Sequence, residues 1–421
     1  MPMPEHLPAR GARILIVEPS SSGAGLPQEA RALGFEVVVA SADRGDRRLP
    51  DQVREHLDQL VVVDTNDEDA LAEAVAALHR GRPFQGIVPG FEFYVDTVAR
   101  LAERLGLPGL PAGSARGLRH KTAMRELVGA AGLRIPRYAE VSGEGELAAA
   151  AELVGFPAVL KPAESAGSVH VSRVDSPDGL RAAYRRLRTD TRTDFGRGLD
   201  GPVLLEEYLD GPEISVEGYV EDGRAVVLAV TTKMLGPEPY FVELGQVLPR
   251  TMDPRTRAAV DAYVDGVCTA LGLTLGPFHC ELRLPAGEPV LIEIGARLAG
   301  HRIPYLVELV TGTSQARIML AAYTGLRPQD VAAFSTPSAT FVGTACFTAP
   351  PELTAYSAVE GLGELRADRD TLEVELYVPP GERIPPPEDF RCFLGHAVFQ
   401  AESYEQALTR WHAMRDEVHF V

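Results

Sequence analysis

Two carboxylates, Glu281 and Glu293, fall on the two arms of what reads as a β-hairpin. HCELRL and PVLIEIG alternate with the two-residue period of strands, and Pro285-Ala-Gly-Glu-Pro289 between them carries turn chemistry. A turn centred on Gly287 sets 281 opposite 293, 279 opposite 295 and 283 opposite 291. Cys280, Leu282, Leu284, Val290, Ile292 and Ile294 then share an apolar face directed to the core. The other face carries His279, Glu281, Arg283, Leu291, Glu293 and Gly295. Glu281 and Glu293 would stand with Cβ atoms about 5 Å apart, and two like charges there need a proton or a cation between them. Mg²⁺ meets that need, because it takes carboxylate together with phosphate oxygens. A solvated sheet face with Arg283 neutralising one glutamate meets it equally well, and the hairpin alone leaves both readings open.

Lysine usage is the second signal. Of 41 basic residues only Lys121, Lys161 and Lys233 are lysine. Against such arginine bias, each surviving lysine marks a place where a compact ammonium serves and a planar fork does not. Close contact with phosphate is such a place. Lys161 ends an apolar strand, AVLKP, and is followed by the small-residue loop AESAGS. The backbone N–H groups of that loop and the hydroxyls of Ser165 and Ser168 could bind phosphate oxygens around Gly167.

These residues need elements to hold them. RILIV (13–17), FEVVVAS, LVVVD (60–64) and GIVPG (86–90) alternate with helical stretches, the rhythm of a parallel sheet covered by helices. The first loop, SSSGAG, has two glycines but no third at the helix opening, and no acidic residue ends the second strand, so a dinucleotide site is not expected. Ser114 can cap one helix over SARGLRHKTAMRELVGAAG with Lys121 inside it. A small α/β segment follows, with strands near Tyr138–Val141, at AVLKP and at VHVSRV. PVLLEEYLDGPEISVEGYV reads as strand, turn, strand. AVVLAVTTK is a strand ending at Lys233, and PYFVELGQVLP is a loop-like run holding Glu243. Helices are expected at 254–271, 304–311, 314–323 and near 404–416.

Bulk properties exclude several classes. A net charge of −18 without a Lys/Arg run argues against nucleic acid or an anionic membrane as partner. The four cysteines are far apart and read as free thiols of a reducing compartment. The opening MPMPEHLPARGAR lacks the apolar centre of a signal peptide, and no apolar run of 18 residues exists. Cytoplasmic location is the expectation.

The order of these features resembles the ATP-grasp superfamily. HKTAMRELVGAAGLRIP, FPAVLKP, EEYLDGPEISVEGYV, FVELGQVLP, FHCELRL and IEIGARLAG look most like the L-amino-acid ligases, the dipeptide synthetases. The resemblance implies an α/β and α+β chain: an N-terminal Rossmann-like domain (1–113), a helical linker and lid (114–204), and a C-terminal mixed-sheet domain with the metal and substrate site (205–421). It implies ATP and Mg²⁺ as cofactors, two ions with Mn²⁺ as substitute. Lys121 and Lys161 would hold the α/β-phosphates and Lys233 the β/γ end, under the Ser165–Gly167–Ser168 loop. Glu206, Glu207, Tyr208 and Leu209 would form the adenine hinge, mostly through backbone groups, and Glu213 would take the ribose hydroxyls. Glu281 and Glu293 would hold Mg²⁺. Arg297 would steady the transferred phosphoryl group, Glu243 would meet a substrate ammonium, and Gly300 and His301 would line the substrate pocket.

The implied reaction joins a small-molecule carboxylate to an amine, both amino acids in the nearest reading, through an acyl-phosphate. Other readings are a ligase for a non-amino-acid natural-product intermediate, a bicarbonate-activating enzyme like biotin carboxylase, and a non-catalytic nucleotide-binding module. A homodimer is compatible with all of them. The chain departs from the family pattern at Gly295, where asparagine is usual, at Val169-His170 after the loop serine, at Gln246 where histidine is common, and at His301 in place of an aromatic. His279 is expected to brace the metal glutamates rather than to catalyse.

Overall fold

The computed structural model describes residues 11–421; most of the opening stretch read for a signal peptide lies outside the described residues. Four apolar segments, β1 (Arg13–Val17), β2 (Glu36–Ser41), β3 (Gln59–Val62) and β4 (Gly86–Pro89), form a parallel sheet in the order β3-β2-β1-β4. Every residue of β1 and β4 is buried, as expected of strands covered on both faces. The first glycine loop serves packing. A Cβ at Gly23 would lie 1.9 Å from the Gly90 carbonyl oxygen, so the loops after β1 and β4 meet backbone to backbone.

A second sheet, β5 (Tyr138–Val141), β6 (Ala158–Pro162), β7 (Ser172–Val174) and β8 (Val203–Glu207), is antiparallel in the order β5-β8-β6-β7. The helices Leu147–Val154 and Pro177–Thr189 cover it around a core of Val141, Leu160, Leu187 and Leu205.

The third sheet has eight strands: β9 (Glu213–Glu221), β10 (Arg224–Leu235), β11 (Glu243–Leu248), β12 (Gly276–Arg283), β13 (Val290–Gly295), β14 (Phe341–Phe347), and β16 (Thr371–Leu376) and β17 (Gly395–Ala401). Their order is β13-β12-β9-β10-β11-β14-β17-β16. Between and after them, β15 (Val359–Glu360) pairs with β18 (His419–Phe420). Every pairing in the eight-stranded sheet is antiparallel, a narrower arrangement than the mixed sheet expected. We propose 1–113, 114–204 and 205–421 as the units of the chain; β8 carries the second sheet slightly past residue 204.

Four local expectations are corrected. The helix expected over 115–132 is broken. A short turn of helix at Ala112–Ala115 and a helix at Lys121–Ala130 flank an extended His120, so Lys121 opens a helix, with its N–H donated to Ala163 O at 3.1 Å. The run holding Glu243 is not a loop: Glu243–Leu248 is β11, paired on both edges, and β10 runs two residues beyond Lys233. Only Ser172–Val174 of VHVSRV is strand, because Ser168 and His170 adopt positive φ. In the hairpin, 279↔295 and 281↔293 pair as expected, but Leu282 pairs with Leu291 and Arg283 with Val290. A bulge at Ile292 absorbs the extra residue. Leu291 therefore enters the core and Ile292 turns to a cleft.

Candidate active site

The second and third sheets meet at a cleft of ≈ 1140 Å³ that opens to solvent. It is lined by Lys121, Lys161 and Lys233, by Ser165, Gly167 and Ser168, by Glu206, Glu207, Tyr208, Leu209 and Glu213, and by Glu243, Glu281, Glu293, Arg297 and His301. Of the residues singled out in the sequence, only Gly300 is not in the lining. Its carbonyl accepts the Ile303 N–H at 3.0 Å and starts the following helix. His301 and Arg302 beside it both have positive φ, 51° and 68°. Two adjacent non-glycine residues in that region are strained, and the strain sets the His301 ring against the cleft.

Each lysine has a carboxylate partner. Lys121 Nζ lies 3.0 Å from Glu293 and donates to Ser165 O at 2.8 Å, which ties the small-residue loop to the hairpin. Lys161 Nζ lies 2.6 Å from Glu206. Burial pulls the Lys161 ammonium below its ordinary pKa, with Glu206 opposing the shift. Lys233 sits among Glu243 at 2.9 Å, Glu213 at 3.7 Å and Glu281. Burial alone would lower its pKa, but Glu243, Glu281 and Glu213 together hold it well above normal.

Glu281 and Glu293 face each other across β12 and β13, and each is about a fifth exposed toward the cleft. Burial pushes Glu281 up, and Lys233 and His279 outweigh it, so its carboxyl is held well below the usual range. His279 spans Glu217 (3.0 Å) and Glu281 (3.1 Å). Burial disfavours its charge, yet Glu217 and Glu281 raise it to about 9, so at neutral pH it is an imidazolium that braces Glu281. Two opposed carboxylates, each partly exposed to the cleft, suit a hard divalent cation. Arg283, the alternative neutraliser, is engaged elsewhere: its Nε lies 3.0 Å from Glu213 and its Nη1 donates to Leu209 O at 3.2 Å.

Glu206 differs from expectation. Its backbone pairs with Tyr138 on one side and Val159 on the other, so the sheet occupies it. Its buried side chain instead bridges Lys161 and Arg125 Nε, the latter at 2.7 Å. Arg125 Nη2 in turn donates to the bulge carbonyl of Ile292 at 2.6 Å. The bulge thus anchors the Lys161 support.

The residue that sequence reasoning missed is Glu92. It follows β4 in a 3-10 turn, Glu92–Tyr94, and is 1% exposed. Its carboxylate receives Arg297 Nε on one oxygen and Arg119 Nη1 (3.2 Å) on the other. Burial would raise its pKa, but Arg297 and Arg119 hold it down. Glu92 also accounts for Gly295: a Cβ there would sit 2.8 Å from Glu92 Oε2 and 3.3 Å from Arg297 Cγ and Nε. The N-terminal unit fills, with a carboxylate, the space a side chain at 295 would need. The available signal was an acidic residue at the carboxyl end of a parallel strand, where ligands of such sheets bind.

Comparison with known proteins agrees with this geometry. The ATP-grasp domain family matches residues 154–305, the ATP-grasp N-terminal domain family 27–109, and L-amino acid ligase C-terminal domain 2 matches 347–421. The chain belongs to the ATP-grasp superfamily. Within it, the chain is similar to the L-amino acid ligases. The crystal structure of L-amino acid ligase from Bacillus licheniformis superposes with a TM-score of 0.82 at 26% identity, covering 98% of this chain and 99% of that one. The alanine–anticapsin ligase of Bacillus subtilis is 25% identical over 60% of this chain and 57% of its own length. The uncharacterized protein y4rH of Sinorhizobium fredii is 28% identical over 95% of this chain and 80% of its own. The chain thus spans little more than half of the alanine–anticapsin ligase.

Proposed function

We propose that this chain is an ATP- and Mg²⁺-dependent ligase that joins the carboxylate of an amino acid to an amine, giving a dipeptide or related amide. The observation that carries the reading is the convergence of all three lysines, the opposed Glu281 and Glu293, and Arg297 on one cleft.

In this reading a substrate carboxylate oxygen attacks the γ-phosphorus of ATP. The bond from that phosphorus to the β,γ-bridging oxygen breaks, leaving ADP and an acyl-phosphate. The amine nitrogen then attacks the acyl carbon, loses a proton, and inorganic phosphate departs. Such transfers ask the protein mainly for positioning and charge neutralisation. Lys121 and Lys161 would hold the α/β-phosphates, and Lys233 the β/γ end. Glu281 and Glu293 would hold magnesium, which when bound offsets phosphate charge. Arg297, fixed at Nε by Glu92, would present its remaining N–H groups to the transferred phosphoryl group. Glu243 is held as a carboxylate despite burial, by Lys233 and His301, and would receive the substrate ammonium. Tyr208 and Leu209 would flank the purine and Glu213 the ribose. The loop carrying Ser165, Gly167 and Ser168 would cover the phosphates and keep water from the acyl-phosphate. Its Gly167 carbonyl already accepts the Phe390 N–H, at 3.3 Å.

The test is phosphate release from ATP across a panel of amino-acid pairs. Release that needs both a carboxylate and an amine is the expected result. Tight ATP binding with no release for any pair would overturn the enzyme reading, and bicarbonate-dependent release without an amine would replace it with a carboxylase.

A further inference from the structure

A second cavity adjoins the cleft and shares His301, Phe390 and Phe393 with it. Its deeper walls are Thr344, Cys346, Tyr377 and His396, with Arg302 and Arg391 at the sides. The eight-stranded sheet explains why the two spaces are continuous. Lys233 pairs with Gln246, and Gln246 with Thr344, so the row of side chains that crosses the cleft floor continues under the second cavity. Two strand spacings, about 10 Å, separate the backbones of Lys233 and Thr344, the reach of one long substrate side chain.

The charges here are already matched. Arg302 pairs with Glu373, Arg391 with Asp389, and His396 Nε2 with Glu373 at 2.8 Å, while His396 Nδ1 meets Tyr377 OH at 2.5 Å. A charged side chain would find no free counter-charge. The doorway is aromatic: Phe393 meets the His301 ring edge-on with centroids 5.0 Å apart, and Phe390 and Tyr377 add flat walls. Two polar atoms of that strand row are unmatched among the described residues, and of the two residues Thr344 alone lines the cavity. Thr344 Oγ1 and Gln246 Oε1 are cross-strand neighbours, both buried and both without a hydrogen-bond partner. The Gln246 amide orientation is fixed, because its nitrogen donates to Glu243 at 2.7 Å. One orphan can donate or accept and the other can only accept. A substrate hydroxyl in the cavity can meet Thr344 Oγ1, and a buried polar atom left unmatched is costly.

We propose that this cavity is the side-chain subsite of the enzyme and that it selects an uncharged aromatic amino acid bearing a terminal hydroxyl. The inference rests on the ligase reading above, and its test does not depend on turnover. Calorimetric titration of L-tyrosine, L-phenylalanine and L-alanine into the protein with Mg·ADP measures the subsite directly. Tyrosine should bind about five- to tenfold tighter than phenylalanine, the worth of one neutral hydrogen bond, and alanine weakest. Thr344→Val keeps shape and removes the hydroxyl, so the tyrosine-to-phenylalanine ratio should fall toward one. Its melting temperature should not drop, since the lost group had no partner. A ratio unchanged in Thr344→Val, alanine binding as tightly as tyrosine, or ADP binding with no amino acid bound would each overturn the subsite. Tyrosine selected as expected, with no phosphate released from ATP, would overturn the ligase reading and leave the subsite standing.

Discussion

Gly295→Ala tests the link between the N-terminal unit and the reaction centre. The glycine has no positive φ, so an alanine backbone is unstrained there and only the added Cβ matters. That Cβ would stand 2.8 Å from Glu92 Oε2 and 3.3 Å from Arg297, where ordinary contact begins at 3.4 Å. Glu92 cannot swing aside, because it is buried between Arg297 and Arg119. Glu92 must retreat by roughly 0.6 Å and shift the Arg297 it holds, which by itself need give only about 0.1 Å, an overpacking cost of about 1–3 kcal/mol. A 1 Å misplacement of a catalytic group can cost about a hundredfold. We expect kcat to fall about 10- to 100-fold, with the KM for ATP changed less than about threefold, since the lysines proposed to hold the nucleotide are untouched. The assay is steady-state phosphate release, with thermal melting alongside. The contact itself is isolated by a double-mutant cycle: in a Glu92→Ala background the clashing atom is gone, and Gly295→Ala should add little. Additive effects, or a Gly295→Ala enzyme with unchanged kcat, would refute the argument.

Three further outcomes follow from the same geometry. Glu293→Gln should abolish Mg²⁺-dependent phosphate release while leaving the melting temperature within a few degrees; near-normal activity would remove Glu293 from the metal site. Lys161→Arg keeps the charge but must fit a planar fork into the space beside Glu206 and Arg125, and should lower kcat/KM for ATP at least about tenfold. Burial raises Asp194 from its ordinary value near 3.8 to about 6, and its Oδ2 has no partner. The folded protein therefore holds this proton more tightly than the unfolded chain. The associated stability is present below pH 3.8 and lost as pH rises through about 6. Asp194→Asn should raise the melting temperature at pH 7, with the gain disappearing below about pH 4; an equal difference at both pH values would count against it.

What the sequence made legible was local or compositional. Scarce lysines stand out in an arginine-rich chain, a continuous apolar run marks β1, and alternation marks β12 and β13. The hairpin register held as far as Glu281↔Glu293 and then slipped, because no glycine or proline announces a bulge at Ile292. β11 reads as loop because Gly245 interrupts it, yet pairing on both edges makes it a central strand. The stretch around Lys121 carries good helix formers on either side of Gly117, a weak one that alone does not end a helix. Its break comes from the tertiary contact of Lys121 N–H with Ala163 O, which no local pattern encodes. The pairing of Glu92 was out of reach for the same reason: its partner Arg297 lies 205 residues away, and only the folded chain brings them together.

The pairing of every cleft lysine with a glutamate has a consequence for ionic strength. Lys121 rests on Glu293, Lys161 on Glu206, and Lys233 on Glu243 and Glu281. In the proposed reading, a triphosphate entering here would not meet waiting cations; it would take lysines over from carboxylates, of which Glu281 and Glu293 would pass to magnesium. Charge contacts are exchanged at nearly constant number rather than created. Added salt weakens the contacts broken and the contacts formed alike. Affinity for the nucleotide should therefore vary little with salt, and much more with free Mg²⁺, since the displaced glutamates need a new cation before the exchange can finish.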